Sequence, residues 1–381
     1  MKTMTRSLLL LAAVSLLSGC SSLNPFSPKA PKPAELVSFQ PDAELRSLWQ
    51  VRVGSAGNYV FHPAVIEADV YAAAHDGSLM RVSDGRVVWR ATAGARLSAG
   101  AGSDGRVAAV VTVGGEVVAF DASNGAERWR APVGAEVLAP PAVTAAAVVV
   151  RASDHRVTGF DVNDGRQLWT FERTTPPLAL RSSAGMLSDG RVAIIGYPGG
   201  KLVAIDTVNG APLWELTVAT PRGVTELERI ADIAGTAVVS RREICAVAFQ
   251  GRATCFDLES GNAIWSREFS SAVGMDRDTR LVFITDAGDA VHALDAFSGS
   301  SVWKQDAMTR RKVSRPVALD DFVAVGDMDG YVHLLHRETG RFAARTRADS
   351  SAIVAGPQRL PGQQRFVVQT RDGSLVAYEA R

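Results

Sequence analysis

The three cysteines carry the most reactive side chains of this 381-residue sequence, and two of them flank a short predicted hairpin. Cys245 and Cys255 lie on either side of residues 249–252. A three-residue loop with Gly251 in the left-handed conformation would pair residues 248 and 252 and place the two thiols directly opposite each other. A two-residue loop would instead place them on opposite faces. The first alternative predicts a structural disulfide, with no redox role, in an oxidising compartment.

Cys20 closes an N-terminal targeting segment. Lys2 and Arg6 precede a mainly apolar run over residues 8–17, which is shorter than the roughly 20 residues that span a bilayer. The run ends in Leu17-Ser-Gly-Cys20, a pattern typical of bacterial lipoprotein signal peptides. We therefore predict a signal peptide over residues 1–19 and acylation of Cys20, because several acyl chains together give stable anchoring.

The residues after Cys20 predict the destination of the chain and its tether. Ser21 stands where the rule for retention in the inner membrane requires Asp, so we predict a lipid anchor in the outer membrane, facing the periplasm. Four prolines lie among polar residues in 21–33, a composition that cannot bury a core. We predict a lipidated, flexible tether over residues 20–40 and a single folded domain over residues 41–381.

Other chemistry has little support in the sequence. The six histidines are scattered, without His-Glu-x-x-His or another metal-binding spacing. Glycine pairs such as Gly114-Gly115 fall in predicted hairpin turns and do not lead from a strand into a helix, as a phosphate loop would. The formal net charge of +1 argues against a nucleic-acid partner, which requires a basic surface. No metal site and no nucleic-acid partner are predicted.

The elements that position these residues are predicted by an internal repeat. Asp-x-x-x-Gly-x-x-x-Trp or a close relative recurs with Trp-to-Trp steps of 40, 40, 45, 51 and 38 residues, the length of a four-stranded propeller blade. Asp ends a strand, Gly supplies a positive φ at the turn, and the Trp ring fills the wedge between neighbouring blades. The six repeat tryptophans are Trp89, Trp129, Trp169, Trp214, Trp265 and Trp303.

A second marker predicts the number of blades. Short hairpins recur near residues 76, 114, 154, 199, 250, 287, 329 and 372, which makes eight. The last blade runs out of chain before its fourth strand, whereas the segment from Leu48-Trp49 to Gly54 resembles a fourth strand at the start of the domain. We therefore predict an all-β, eight-bladed propeller of four-stranded antiparallel blades, in which the N-terminal strand completes the last blade and closes the ring.

Two connections between blades are longer than the others, over residues 170–183 and 216–233. Both link the fourth strand of one blade to the first strand of the next, so they must lie on one face of the disc at consecutive junctions. Insertions on one face of a repeat protein are candidates for a binding surface. Leu178 and Leu180 beside Arg181 would form an apolar and basic patch of the kind found at interface centres. The alternative is that these leucines pack back against the blades.

The repeats over residues 48–381 resemble those of pyrroloquinoline-quinone-type propellers. Together with the lipoprotein signal, the stretches 178–184 and 222–232 resemble the BamB family, the propeller lipoproteins of the outer-membrane β-barrel assembly (BAM) machinery. The resemblance implies a non-catalytic scaffold whose two long loops bind the polypeptide-transport-associated periplasmic domains of the barrel-inserting subunit. The matching positions are Leu178, Leu180, Arg181 and Asp232. Ala234 departs from a second acidic residue in the family pattern. Unfolded outer-membrane proteins, added as strands to blade edges, are a weaker implied partner.

Two alternatives stay open. Some related propellers are periplasmic dehydrogenases that bind pyrroloquinoline quinone and Ca²⁺, which need oxygen ligands and a general base. The sequence lacks the vicinal cysteine pair of the alcohol-oxidising members and Cys-x-x-Cys-His for haem. We therefore predict no enzyme activity and no cofactor. The other alternative is a propeller lipoprotein with a different protein client, which a buried loop over residues 178–181 would favour.

Overall fold

A computed structural model describes residues 32–381, so the predicted signal peptide and Cys20 lie outside the described residues. The regular elements of the described part are all strands. Among these residues no helix has the length and apolar character needed to cross a membrane. Thirty-two strands form eight four-stranded antiparallel sheets, and the predicted eight-bladed propeller is confirmed.

After the first strand of the chain, each of the first four blades has one short innermost strand followed by three longer strands. The bounds are β1 (Leu45–Arg52); in blade 1, β2 (Ala64–Ile66), β3 (Asp69–Ala73), β4 (Ser78–Ser83) and β5 (Arg86–Thr92); in blade 2, β6 (Gly102–Ser103), β7 (Val107–Val111), β8 (Glu116–Asp121) and β9 (Glu127–Pro132); in blade 3, β10 (Ala142–Val143), β11 (Ala147–Arg151), β12 (Val157–Asp161) and β13 (Gln167–Phe171); and in blade 4, β14 (Leu187–Asp189), β15 (Val192–Tyr197), β16 (Lys201–Asp206) and β17 (Pro212–Thr217).

The remaining blades repeat this arrangement. The bounds are, in blade 5, β18 (Val238–Ser240), β19 (Glu243–Val247), β20 (Gly251–Asp257) and β21 (Ala263–Phe269); in blade 6, β22 (Met275–Arg277), β23 (Leu281–Thr285), β24 (Val291–Asp295) and β25 (Ser301–Gln305); in blade 7, β26 (Val317–Ala318), β27 (Phe322–Gly326), β28 (Tyr331–His336) and β29 (Phe342–Arg347); and in blade 8, β30 (Gln358–Arg359), β31 (Arg365–Gln369) and β32 (Ser374–Ala380). The middle strands are almost wholly buried, because both of their faces pack against neighbouring blades.

The ring is closed by β1, which pairs antiparallel with β32 as the outer strand of blade 8. Leu45 lies opposite Ala380 and Arg52 opposite Ser374, with an irregularity between Ser47 and Trp49. The predicted closure by the N-terminal strand is therefore confirmed. It joins the two ends of the domain, so separating the last blade from the ring requires breaking a complete strand pairing.

The repeat tryptophans fill the wedges between blades, with one departure. Five are buried, and the indole N–H of each donates to a backbone carbonyl of the next blade at 2.7–3.0 Å. The ring packs on the turn glycine of that blade, where a side chain would clash. These five pairs are Trp89 with Gly125, Trp129 with Gly165, Trp169 with Gly210, Trp265 with Gly299 and Trp303 with Gly340. Trp49 covers Gly85 in the same way, whereas Trp214 is only half-buried and Gly261 meets Leu216 instead.

The cysteine hairpin has the register of the first sequence alternative. Cys245 lies opposite Cys255 with their Cα atoms 4.0 Å apart, and a disulfide joins them. The backbone N–H of Ala248 donates to the carbonyl of Arg252 at 2.9 Å, as a three-residue loop requires. The expectation for Gly251 was wrong: Gln250, with φ of 48°, takes the left-handed conformation. Gln250 is held there because its N–H donates to Ser270 Oγ at 3.0 Å.

The folded domain begins earlier than residue 41, the predicted boundary. The compact unit spans residues 34–381, and residues 34–43 contact the outer strand of blade 7 and the connection that leads into that blade. Asp42 and Ala43 both donate backbone hydrogen bonds to the carbonyl of Ala343, and Phe39 stacks on Phe342 with ring centroids 5.3 Å apart. The prediction of a flexible tether up to residue 40 is therefore wrong for residues 34–40, whose backbone and aromatic groups have partners on the propeller.

Candidate protein-binding site

Two long connections lie at consecutive blade junctions. The first contact loop (residues 172–186) joins β13 of blade 3 to β14 of blade 4, and the second contact loop (residues 218–237) joins β17 of blade 4 to β18 of blade 5. Each leads from an outer strand to the inner strand of the next blade. Because every connection of this type emerges on the same side of a propeller, the two loops share one face of the disc, as predicted.

A buried carboxylate ties the two contact loops together. Asp232 in the second loop is 3% exposed. Its Oδ2 accepts a hydrogen bond from the backbone N–H of Leu180 at 2.6 Å, and its Oδ1 accepts one from the N–H of Gly199 at 3.1 Å. The family resemblance implied that Asp232 is a partner-binding residue, and the structure gives both of its carboxylate oxygens internal donors. Asp232 therefore positions the first loop against blade 4.

Further hydrogen bonds align the C-terminal halves of the loops. Ser182 Oγ donates to the carbonyl of Ala234 at 2.9 Å, and Thr236 Oγ1 donates to the carbonyl of Gly185 at 3.2 Å. Ala234, which replaces the acidic residue of the family pattern, is 6% exposed. The backbone of Ala234, and not its side chain, makes this contact, so the loop pairing does not need a carboxylate at that position.

The first contact loop presents part of its predicted patch to solvent. Leu178 is 38% exposed, and the Arg181 side chain is 65% exposed beside Glu136, with which it forms an ion pair. Leu180 is half-buried and lines a cleft of about 210 Å³ together with Leu138. The alternative in which the leucines pack back against the blades therefore holds partly for Leu180 and does not hold for Leu178.

A buried arginine holds the first contact loop by a hydrogen bond to its backbone. Arg151 in β11 is 7% exposed and donates to the carbonyls of Gly196 at 3.0 Å and Ala184 at 3.2 Å. Burial lowers the pKa of Arg151, and burial followed by the nearby Arg151 charge lowers the pKa of His155 in the same cleft. The lowered pKa favours the neutral imidazole of His155, so the positive charge of the cleft resides on Arg151 and Arg181.

The second contact loop contains two exposed apolar residues that sequence reasoning did not single out. Val224 is 97% exposed and Leu227 is 67% exposed. They stand on a helical turn in which Glu228 Oε2 accepts the backbone N–H groups of Val224 and Thr225, while the N–H of Glu228 donates to Thr225 Oγ1 at 3.3 Å. The backbone hydrogen bonds from Thr225 and Val224 lower the pKa of Glu228. The signal that could have found this turn is Thr225-x-x-Glu228, a reciprocal helix cap.

The polar groups of the central channel are mostly paired with the protein itself. The channel has a volume of about 740 Å³ and is lined by the inner strands of the blades. Asp276 lies 3.4 Å from Arg315 and also accepts the N–H of Ala318 at 2.8 Å, while Arg315 donates to the carbonyl of Met275 at 2.7 Å. Within residues 32–381 no group of three or more His, Cys, Asp or Glu side chains is placed to hold a metal ion.

Comparison with known proteins gives a consistent result. The family model described as outer membrane protein assembly factor BamB matches residues 75–305 and 287–381. The BamB of Bordetella pertussis is 43% identical over 98% of this chain and 97% of its own length. The BamB of Burkholderia pseudomallei is 38% identical over 97% of this chain and 96% of its own length.

Solved structures show the same fold. The crystal structure of BamB from Moraxella catarrhalis superposes with a TM-score of 0.81 at 26% identity, covering 88% of this chain and all of the other. The quinohemoprotein alcohol dehydrogenase of Comamonas testosteroni has a TM-score of 0.71 at 12% identity and covers 88% of this chain and 76% of its own. At that identity, the likeness to the dehydrogenase concerns the fold alone.

Proposed function

The chain belongs to the family of the outer membrane protein assembly factor BamB, and from that membership we propose that it is a non-catalytic scaffold in the assembly of β-barrel proteins into the outer membrane. The observation that carries the proposal is the coupling of the two contact loops through Asp232. Loops that are already ordered lose little conformational entropy on binding, and this smaller cost favours a high affinity for the partner.

We propose that the partner is the barrel-inserting subunit, bound through its periplasmic polypeptide-transport-associated domains. Leu178 and Arg181 would make direct contact, because both are exposed, and Leu180 would contribute from the cleft. Asp232 would act behind the surface by fixing the backbone of Leu180. Arginine is enriched among the few residues that dominate the affinity of an interface, and the neighbouring leucines would add buried apolar area.

The proposal includes attachment of the scaffold to the outer membrane through an acylated Cys20. The lipoprotein pattern that ends at Cys20 and the serine that follows it support this anchor. Anchoring would confine the propeller to the periplasmic face of the membrane and raise its local concentration near a membrane-embedded partner. A second role, addition of unfolded barrel substrates to blade edges, has no particular edge to support it.

A binding titration tests the scaffold role. Unlipidated residues 21–381 are titrated against the periplasmic region of the barrel-inserting subunit from the same organism, beside a Leu180→Ala/Arg181→Ala variant. Removing two anchors of a real interface should weaken binding at least about tenfold, or about 1.4 kcal/mol. The matched control is Leu213→Ala in β17, where the leucine is 50% exposed but lies outside both contact loops; its affinity should stay within about twofold of wild type.

Two outcomes would contradict the proposal. If the wild-type chain does not bind at high micromolar concentration, the partner is a different protein. If the double variant binds as tightly as wild type at an unchanged melting temperature, the interface lies elsewhere on the propeller.

A further inference from the structure

The segment that precedes β1 is clamped by two arginines, Arg311 in the connection from blade 6 to blade 7 and Arg345 in β29 of blade 7. Arg311 donates from Nη1 to the carbonyl of Ala34 at 3.0 Å, and Arg345 donates from Nη1 to the carbonyl of Val37 at 3.1 Å. The N–H of Ala34 donates in turn to the carbonyl of Thr309 at 2.9 Å. Residues 34–40 are called the strap below. Both arginines bind backbone carbonyls, so the clamp depends on the path of the strap more than on its side chains.

One aromatic side chain of the strap adds a specific contact. Phe39 stacks on Phe342 at an interplanar angle of 23°, and the guanidinium of Arg345 lies 5.0 Å from the Phe39 ring centroid and 5.3 Å from that of Phe342. Ala34 and Phe39 are half-buried, whereas Val37 is 39% exposed. The Phe39 ring of the strap therefore packs against the propeller.

A buried network fixes the two clamping arginines. Arg311 donates from Nε to Asp327 at 2.8 Å and from Nη2 to Asp329 at 2.5 Å. Arg345 donates from Nε to His333 Nδ1 at 3.2 Å, and His333 Nε2 lies 3.0 Å from Asp327. A guanidinium can only donate, so Nδ1 is the acceptor and the proton of neutral His333 is on Nε2, facing Asp327. Both arginines are thereby preorganised for the strap.

The strap begins on the face that carries the contact loops. Thr309 lies in the connection from β25 to β26, which leads from the outer strand of blade 6 to the inner strand of blade 7. The contact loops belong to the same class of connection, at the two junctions that flank blade 4. In a ring of eight blades, blade 7 is three blades away from blade 4, so Ala34 and the contact loops lie towards opposite sides of one face.

We propose that the strap fixes the point at which the lipid tether leaves the propeller, on the contact-loop face at blade 7, and so limits how far that face can stand from the membrane. This inference rests on the proposed acylation of Cys20. Fourteen Cα–Cα steps separate Cys20 from Ala34, which span at most about 50 Å. If the strap were released, the tether would extend to Leu45, and the limit would rise to about 90 Å.

Hydrogen–deuterium exchange tests the clamp on the unlipidated mature chain. Phe39→Ala removes the stacked ring and its contact with the Arg345 guanidinium but none of the hydrogen-bonding groups of the arginine network. Val37→Ala is the matched control because Val37, in the same segment, is 39% exposed and its side chain carries no aromatic ring. In Phe39→Ala the Ala34, Asp42 and Ala43 amides should exchange about tenfold faster, while β26–β29 stay protected. The control should exchange as wild type does. Equal exchange in both variants, or unprotected amides in wild type, would overturn the clamp.

The effect on height is measured with the lipidated protein in vesicles. A fluorescent donor at Lys304→Cys, an exposed position in β25, transfers energy to an acceptor at the lipid surface. The Phe39→Ala chain should show lower transfer than Val37→Ala, because its tether is longer. Equal transfer would overturn the limit on height, and failure to float with vesicles would overturn the anchor. Neither outcome bears on the proposed scaffold role, which is tested separately by partner affinity. The affinity of the unlipidated chain for its partner should be the same in Phe39→Ala and Val37→Ala.

Discussion

Replacing Asp232 with asparagine isolates the contact that holds the two loops together. An asparagine side chain has nearly the same shape as an aspartate side chain but offers one acceptor oxygen and one NH₂ group. In the native chain the two carboxylate oxygens accept the N–H groups of Leu180, at 2.6 Å, and Gly199, at 3.1 Å. In Asp232→Asn one of these donors must therefore face another donor, in a position that is 3% exposed.

The magnitude follows from the two losses. A hydrogen bond to a charged group contributes about 1.5–3 kcal/mol, and a buried donor without a partner costs about 1–3 kcal/mol. The two costs are not fully additive. If the first contact loop detaches, water reaches the Leu180 amide and the cost of a buried donor without a partner is removed. We expect the free energy of unfolding to fall by about 2–4 kcal/mol if the loop stays docked, and by less if it detaches. Detachment would weaken partner binding instead, since the loop must be ordered again.

Urea denaturation and hydrogen exchange of the Leu180 amide together distinguish these cases. Asp154→Asn is the control, because Asp154 also accepts a backbone N–H, from Arg156 at 3.1 Å, but on the exposed surface; its effect should stay below about 0.5 kcal/mol. An Asp232→Asn chain that unfolds at the wild-type urea concentration and keeps wild-type protection at Leu180 would refute the assigned role of the carboxylate.

Three further predictions concern the framework. Replacing both Cys245 and Cys255 with serine should lower the free energy of unfolding by about 2–3 kcal/mol, the loop-closure entropy of so short a loop, as measured by urea denaturation without reductant. Burial, followed by the charge of a nearby arginine, lowers the pKa of His62 to about 4, so the unfolded chain binds a proton that the native chain does not. Stability should therefore fall as pH decreases from 6.5 towards 4, and the decrease should be smaller in His62→Gln. Trp129→Ala should cost about 3–5 kcal/mol by thermal or urea unfolding, and Trp214→Ala clearly less, because Trp214 is only half-buried.

The architecture could be predicted because each blade repeats the same local physics. Asp ends a strand, Gly supplies the left-handed turn and Trp fills a wedge, so the recurrence of these three residues gives the length of a blade. Closure of the ring could also be predicted, since Leu48-Trp49 resembles a fourth strand that has no blade of its own. The register of Cys245 and Cys255 was one of the two that counting residues in one hairpin allowed. In each case the interacting residues are close in sequence or belong to the repeat.

The predictions that were wrong depend on contacts between distant parts of the chain. Gln250 takes the left-handed conformation because its N–H binds Ser270 in the next connection, a contact that hairpin rules do not contain. Residues 34–40 have no period, and their partners Arg311 and Arg345 lie about 300 residues away in sequence, so composition alone indicated a tether. The burial of Asp232 depends on where two irregular loops meet.

The position of Asp232 also changes how the acidic pattern of this loop is understood. A carboxylate that accepts two backbone N–H groups stabilises one arrangement of the loops, and it does so whether or not a partner is present. Ala234 contributes its carbonyl to the same arrangement, so an alanine there preserves the contact with Ser182. Under the proposed docking, direct contacts would come from the side chains that reach solvent: Leu178 and Arg181 in the first loop, and Val224 and Leu227 in the second. In that proposal the acidic residue preorganises the surface, and the exposed arginine and apolar residues would supply the binding energy.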